Sequence, residues 1–318
     1  METPVASPTH PAHVPVSDSR KTRRTAIILV IAAIIIALAA YWAWMSPSAA
    51  FRGISYQAGS YENRDLHRIG WFGIRSVTLP VSGRVLDYAR AGGSEAAIVL
   101  ADDGSQDVYR IAGGKAQALT HDGGIKSSLA ISQDGSMVAY AARSMASTST
   151  EPADFYALDA WNVTRINTAD GSATLAGKGY GPQFFAFEGS EYLAFTGPAG
   201  LHIVELATNT HQDLPVGTMH INGLYRAAIS ADGHYLALPS SDTYKEFSLS
   251  KADGVFSIAY IGRIPFGAMS VSYLKDDTVA SLVATEAGNS ITLSDPANPA
   301  SIRSTKILPP GDSYKLAL

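Results

Sequence analysis

The chain has 318 residues, 46% hydrophobic and 16% charged, with a formal net charge of −4 and no cysteine. Such a chain folds, as two ordinary domains or one large all-β domain. Its mild acidity gives no reason to expect nucleic acid as a partner, and the missing cysteines exclude disulfides, thiolate metal sites and cysteine nucleophiles.

Residues 1–24 read as a disordered cytoplasmic tail. Positions 1–19 are rich in Pro, Ser, Thr and His without periodicity, and Arg20, Lys21, Arg23 and Arg24 form a basic cluster. Residues 25–45, "TAIILVIAAIIIALAAYWAWM", hold no charge. As a helix they span roughly 31 Å, about the thickness of a hydrocarbon core. Ile27, Leu29, Ile31, Ile35 and Leu38 are among the side chains expected to meet lipid, and Trp42 and Trp44 fall where an interfacial aromatic belt belongs. The nine Ile, Leu and Val residues favour insertion by roughly 3 to 5 kcal/mol. The basic cluster then orients a single-pass anchor with its N-terminus in the cytoplasm and the remainder outside, on the periplasmic or cell-surface side. A cleaved signal peptide is the rival reading, since Ser48 and Ala50 offer small residues before a cut at Phe51. The long apolar run and long leading segment favour the uncleaved anchor, with 46–50 as a linker.

From residue 51 onward a repeat organises the chain. "ISQDGSMVAYAAR" (131–143) and "ISADGHYLALPSS" (229–241) both place Ser-x-Asp-Gly before an apolar strand, a hairpin signature. Weaker copies occupy 83–100, 181–195 and 267–283, turning at Gly92-Gly93, Glu188-Gly189 and Asp276-Asp277. Their first strands start at Gly83, Lys126, Gly181, Gly223 and Gly267, separated by 43, 55, 42 and 44 residues. The long interval contains the Ser/Thr-rich stretch 144–154, which reads as a loop insertion. Two more strand-like runs follow each hairpin, such as 107–111 with 116–120, 201–206 with 211–216, and 290–294 with 301–308. Four strands per 40-odd residues predict an all-β fold, a β-propeller of about six four-stranded blades behind one transmembrane α-helix.

The last segment, "GDSYKLAL", falls in register with "GAMSVSYL" at 267–274. It predicts the innermost strand of a sixth blade, whose outer strands come from 51–80, so that 51–318 form one closed ring. The rival reading is a chain that stops there by accident. Within 51–80, "RIGWFGIR" (68–75) reads as a strand packing Trp71 and Phe72 into that blade, or else as a lipid-headgroup contact.

The Ser132, Asp134, Gly135 and Val138-Ala139-Tyr140 pattern, repeated as Ser230, Asp232, Gly233 and Leu236-Ala237-Leu238, resembles the TolB-like propeller family, and more distantly WD-repeat propellers. "LTHDGG" (119–124) looks like that family's link between blades. Departures are Gln133 and Ala231 where the family carries Pro, and the missing Trp before the Ser. The resemblance implies a propeller, and family members include periplasmic parts of envelope complexes and propellers attached to peptidase domains. Fold resemblance alone transfers no function.

Chemistry is sparse. No Gly-x-Ser-x-Gly elbow occurs, and Ser248/Lys251 match Ser-x-x-Lys without its partner motifs. No two histidines stand at the i, i+4 spacing of zinc hydrolases. His202, in an apolar strand, reads as a core or channel residue; His121, His220 and His234 read as scattered loop residues rather than a cluster at one mouth. "DDGSQD" (102–107) reads as a turn rather than a calcium loop, and "GKGYGP" (177–182) as a flexible link rather than a phosphate loop. No cofactor, metal site or catalytic residue is expected. The leading expectation is a non-catalytic platform in contact with the bilayer through 25–45 and binding a protein of the membrane or envelope. His121, Asp122, His220 and Asn222 are its candidate contacts. The alternatives are an enzyme, a hydrolase or lyase, or a small-ligand or metal sensor, with its site at the channel mouth.

Overall fold

The two Ser-x-Asp-Gly segments show why those residue types recur at that spacing. The Ser132 hydroxyl donates to Asp134 Oδ1 (2.7 Å) and accepts from the Met137 N–H (2.9 Å), while Asp134 Oδ1 also accepts the Ser136 N–H (2.9 Å). Gly135 between them has φ +73°, which a side chain rarely adopts. Ser230, Asp232 and Gly233 repeat the arrangement, with 2.6 Å from Ser230 to Asp232 and 3.0 Å from the Tyr235 N–H to Ser230. The motif is a pinned hairpin turn whose polar groups are consumed locally.

The structure, a computed structural model, describes residues 19–45, 49–59, 64–71, 73–143, 157–216, 226–240, 243–264, 267–285, 288–309 and 313–317. Residues 1–18 of the tail expected to be disordered, and all of the expected insertion at 144–154, therefore lie outside the described residues; residues 19–24 of that tail are instead helical, because Lys and Arg are good helix formers and continue the apolar helix that follows. Helix α1 covers Ser19–Met45, and side chains are described for 27–40, all exposed. Among the described residues no helix is long and apolar enough to cross a membrane.

Twenty-four strands form six four-stranded antiparallel sheets. The first blade is β4 (Arg84–Ala91), β5 (Ser94–Leu100), β6 (Gln106–Ala112) and β7 (Lys115–Ala118); the second is β8 (Lys126–Ile131), β9 (Met137–Arg143), β10 (Trp161–Asn167) and β11 (Ala173–Lys178). The third is β12 (Tyr180–Phe187), β13 (Ser190–Gly197), β14 (Gly200–Glu205) and β15 (His211–Leu214). The fourth is β16 (Ala228–Ile229), β17 (Tyr235–Pro239), β18 (Tyr244–Ala252) and β19 (Val255–Arg263), and the fifth β20 (Ala268–Tyr273), β21 (Val279–Thr285), β22 (Gly288–Asp295) and β23 (Asn298–Ile307). The sixth combines both ends of the propeller: β24 (Ser313–Ala317) pairs with β1 (Ser55–Gly59), followed by β2 (Arg64–Gly70) and β3 (Gly73–Ser76). Tyr56 faces Leu316 across that junction.

A single sheet has two faces to bury, and each blade does so against its neighbours. Ile98 and Val108 of the first blade pack on Leu129 and Ile166 of the second, and Leu193 and Phe195 of the third on Val163 of the second. Leu201 and Phe187 meet Leu236 and Phe256 of the fourth, whose Tyr244 meets Val271 and Tyr273 of the fifth. Leu282 and Ile291 meet Tyr56 and Leu316 of the sixth, whose Leu66 meets Tyr88 and Val99 of the first. At roughly 1.5 to 3 kcal/mol for each fully buried large aliphatic or aromatic side chain, these seams are the main stabilising layer.

Side-chain bonds also pin the seams. Ser127 Oγ meets Tyr180 Oη at 2.7 Å, Gln183 Oε1 accepts the Ile229 N–H at 3.0 Å, Ser270 Oγ accepts the Leu316 N–H at 3.2 Å, and the Arg68 guanidinium donates to Tyr88 Oη (2.9 Å) and Glu95 Oε1 (3.0 Å).

Two sequence expectations are corrected here. The "GKGYGP" segment is not a flexible link: a Cβ at Gly179 (φ +150°) would stand 2.3 Å from the Thr196 carbonyl oxygen, so glycine permits a close crossing between β11 and β12. Trp71 is not packed into the sixth blade. It is 66% exposed at the β2–β3 turn, with the Arg52 guanidinium 3.6 Å above its ring. Phe72 lies outside the described residues.

Candidate binding site at the channel mouth

The innermost strands β4, β8, β12, β16, β20 and β24 surround the channel. They begin at one end of the ring, where each outermost strand hands over to the next blade, and finish at the other. The first end carries these links; the second carries the hairpin turns closing the inner strands, such as Asp134-Gly135.

Charged residues interrupt the apolar pattern of the inner strands at Arg84, Asp87, Arg90, Lys126 and Lys315, and at Asp87, Lys126 and Lys315 each charge is met by a partner within the ring. Asp87 of β4 is 4% exposed and accepts the N–H groups of Tyr88 (2.7 Å) and, across the seam, Leu129 (2.8 Å). Lys315 of β24 closes on the same carboxylate at 2.5 Å. This pair joins positions 228 apart in the chain at the seam where the ring closes. Lys126 of β8 is 2% exposed; its ammonium donates to the carbonyls of Gln106 (2.7 Å) and Gly124 (3.1 Å) and pairs with Asp122. Burial pushes the Asp122 carboxyl up, but the Lys126 ammonium outweighs it and its pKa lies below the usual range.

The candidate contacts from sequence are thereby placed. His121 is exposed in the link from β7 to β8 at the first end. Asp122 beside it is committed to covering Lys126 rather than standing free. His220 and Asn222 lie outside the described residues. His234 sits at the β16–β17 turn, at the opposite end from His121, with its ring edge-on to Phe187 (5.2 Å). His202 is neither a core nor a channel residue: β14 is the third strand outward, and His202 bonds there to Asp213 and His211.

At the second end lies a cavity of about 550 Å³. Its charged lining is Arg52, Arg90, Arg226 and Lys275 against the single carboxylate Asp276, in a part of the chain (residues 46–318) that sums to −6 overall. Phe184, Gln183 and Gln133 add apolar and amide surface. Ala49, Ala50, Arg52, Gly53 and Ile54, ahead of β1, form part of the wall. Arg90 is partly neutralised by Glu95 at 3.6 Å. Arg226 precedes β16 inside the channel. Burial lowers its pKa, Asp87 offsets part of that effect, and among the described residues no ion pair holds it. Low-dielectric walls strengthen such a field, so the mouth attracts anionic groups.

Sequence reasoning missed Asp87, Lys126, Arg226 and Lys315. The available signal was a charge inside an apolar inner-strand segment, Asp87 in "RVLDYARA", Lys126 in "KSSLAI" and Lys315 in "SYKLAL"; Arg226, ahead of β16, carried no such signal. Among the described residues no group of three or more His, Asp or Glu is arranged to hold a metal ion.

Comparison with solved structures finds propellers. The chain is similar to TolB from Acinetobacter baumannii, with TM-score 0.58 and 15% identity, covering 89% of this chain and 71% of that one. It is also similar to a chain of a nidogen/laminin complex (TM-score 0.54, 10% identity, 83% and 96% covered). A third similar structure is a putative 6-phosphogluconolactonase from Bacteroides fragilis (0.50, 14%, 85% and 85%). No family model and no curated protein sequence matches the chain. At these identities the likeness shows the fold alone, a six-bladed propeller with TolB among its structural neighbours.

Proposed function

We propose that this chain is a membrane-anchored extracytoplasmic β-propeller serving as a non-catalytic platform for an envelope or membrane protein, and that the partner presents an acidic segment to the second end of the channel. The observation that carries the reading is the mouth itself, with four cations against one carboxylate in an acidic domain. The TolB likeness in fold is compatible with a scaffold. The anchor is supported by α1, whose described side chains, Ile27, Leu29, Ile31, Ile35 and Leu38 among them, are more than half exposed with no polar face. Water disfavours such a surface and lipid favours it. Trp42 and Trp44 have no described side chains. Ala49, Ala50, Arg52, Gly53 and Ile54 in the wall bring the chain that follows the proposed anchor to the second end, and this supports a partner at the membrane surface.

The test is gentle crosslinking of tagged full-length protein in its native membrane, purification in mild detergent and identification of co-purifying proteins, repeated with Lys275→Glu. A stoichiometric partner that is lost or weakened at least tenfold by the charge reversal supports the reading. A partner retained unchanged removes the mouth as its interface.

A second reading, a small-ligand sensor or an enzyme acting on an anionic molecule, is favoured by the cavity volume, which lies in the range of small-molecule sites, and by the half-buried Arg226 in its lining. No stoichiometric protein with either variant, together with saturable binding of a small carboxylate or phosphate sensitive to Arg226→Gln, would favour it over the platform.

A further inference from the structure

On the outer part of the third blade, away from the channel, three side chains form a chain of bonds. His202 of β14 meets Asp213 Oδ1 through Nδ1 at 2.5 Å and His211 Nδ1 through Nε2 at 2.9 Å. Asp213 lies directly opposite His202 in the β14–β15 ladder, and His211 lies diagonally. The His202 ring is held against Phe195, centroids 4.8 Å apart, and is only 18% exposed, whereas His211 is exposed. Across the seam Gly177 of β11 approaches without a side chain; a Cβ there would be 3.8 Å from His202 Nε2, so the glycine leaves room beside that nitrogen.

We propose that His202 Nε2 and His211 Nδ1 form a two-histidine site for a divalent first-row transition ion such as Cu²⁺ or Zn²⁺, with Asp213 as the positioning residue that fixes the His202 tautomer. A carboxylate on the far ring nitrogen is the arrangement that orients metal-binding histidines elsewhere. With Asp213 accepting from Nδ1, His202 turns a lone pair at Nε2 toward His211. In the metal-free pair, His211 Nδ1–H donates to it. The ion replaces that hydrogen bond, and the displaced proton is carried on His211 Nε2, so the imidazoles stay neutral and no proton need be released. Metal–nitrogen bonds of 2.0–2.1 Å at a tetrahedral angle separate two ligands by about 3.3 Å. The pair therefore opens by about 0.4 Å, which the exposed His211 can supply. Burial, then the neighbouring His202 and Arg165, hold the His211 pKa below its ordinary value, while Asp213 pushes it up. Among the described residues Arg165 is the Lys or Arg whose charge acts on His211 and so opposes the ion, and its guanidinium is engaged by Asn209 Oδ1 at 2.9 Å. Asp213 occupies the other nitrogen of His202, so the protein supplies two ligands and solvent the remainder.

The test uses untagged full-length protein in mild detergent, titrated with Cu²⁺ and separately Zn²⁺ by calorimetry, with electron paramagnetic resonance of the Cu²⁺ form. Wild type should bind one ion that His211→Gln and His202→Gln both fail to bind, with Cu²⁺ tighter than Zn²⁺. Asp213→Asn should weaken that site about 10- to 100-fold without removing it. The Cu²⁺ spectrum should show two imidazole nitrogens, reduced in His211→Gln. Six other histidines are present, so the readout is the one-ion difference between variants. Identical stoichiometry and spectra in wild type and His211→Gln, whose exposed side chain can be exchanged without unfolding the blade, would overturn the site. So would no saturable binding by wild type.

Discussion

Glu246 is the buried group whose replacement should stabilise the propeller most visibly. It lies on β18 at the seam between the fourth and fifth blades and is 0% exposed. Tyr273 Oη donates to its Oε1 at 2.6 Å, and Oε2 has no partner among the described residues. Burial pushes its pKa from 4.5 up to about 8, against the opposing pull of the Tyr273 bond. The folded state therefore holds a proton that the unfolded state gives up near pH 4.5. The resulting linkage contributes no penalty below that pH. Stability is then lost as pH rises toward 8 and levels off above it. At 1.36 kcal/mol per unit, the loss is roughly 3 kcal/mol by pH 7 and roughly 5 kcal/mol at its limit. Glu246→Gln keeps an acceptor for Tyr273 and removes the titration. Urea unfolding of both proteins between pH 5 and 8.5 is the assay, because the difference between the two curves cancels every other titrating group. The curves should lie within about 1 kcal/mol at pH 5 and separate by roughly 3 to 5 kcal/mol at pH 8, with the Gln variant more stable. Parallel curves, or a Gln variant less stable at every pH, would show that the carboxylate is ionised in the fold and refute the reasoning.

Asp87→Ala removes the carboxylate on which Lys315 closes and which accepts the Tyr88 and Leu129 N–H groups; denaturant melts should show a loss of roughly 3 to 5 kcal/mol, and less for Asp87→Asn. Gly135→Ala forces a Cβ to φ +73° and within 2.2 Å of Ser94 Oγ, so a loss of about 2 kcal/mol is expected, and a midpoint equal to wild type would contradict the turn geometry. Full-length protein should remain with membranes through alkaline extraction and expose its propeller to protease only from outside the cell, whereas release at high pH would refute the anchor. Trp71→Ala should leave stability within about 0.5 kcal/mol, because the ring is exposed; a larger loss would place it in the core.

Legibility followed the range of the interactions. The Ser132, Asp134 and Gly135 turn is made of bonds between positions two to five apart, and its chemistry stands in the sequence. The hairpins at Glu188-Gly189 and Gly92-Gly93 lack the Ser and Asp, yet the alternating apolar strands beside them still marked them. Trp71 was misread because an aromatic within an apolar strand pattern gives no sign that its position becomes a turn stacked under Arg52. His202 was misread for a related reason: periodicity identifies a strand but not its distance from the ring axis. Asp122, seen as a free loop carboxylate, is tied to Lys126 four residues on, a pairing that becomes compelling only once Lys126 is buried.

By itself the sequence determined the repeating unit, the all-β class, a count of about six blades and the uncharged helical segment ahead of them, because each rests on local propensity, turn chemistry and the spacing of apolar residues, whereas the exact number came from the six sheets of the structure. Tertiary structure alone decided that Asp87 meets Lys315 across 228 positions, that four cations gather at one mouth of an acidic domain, and that His202, His211 and Asp213 line up on one outer strand pair. Those groupings arise when six similar sheets close into a ring. Closure sets which end each turn occupies and which neighbour each charge meets, and neither is written in the order of residues within any single blade.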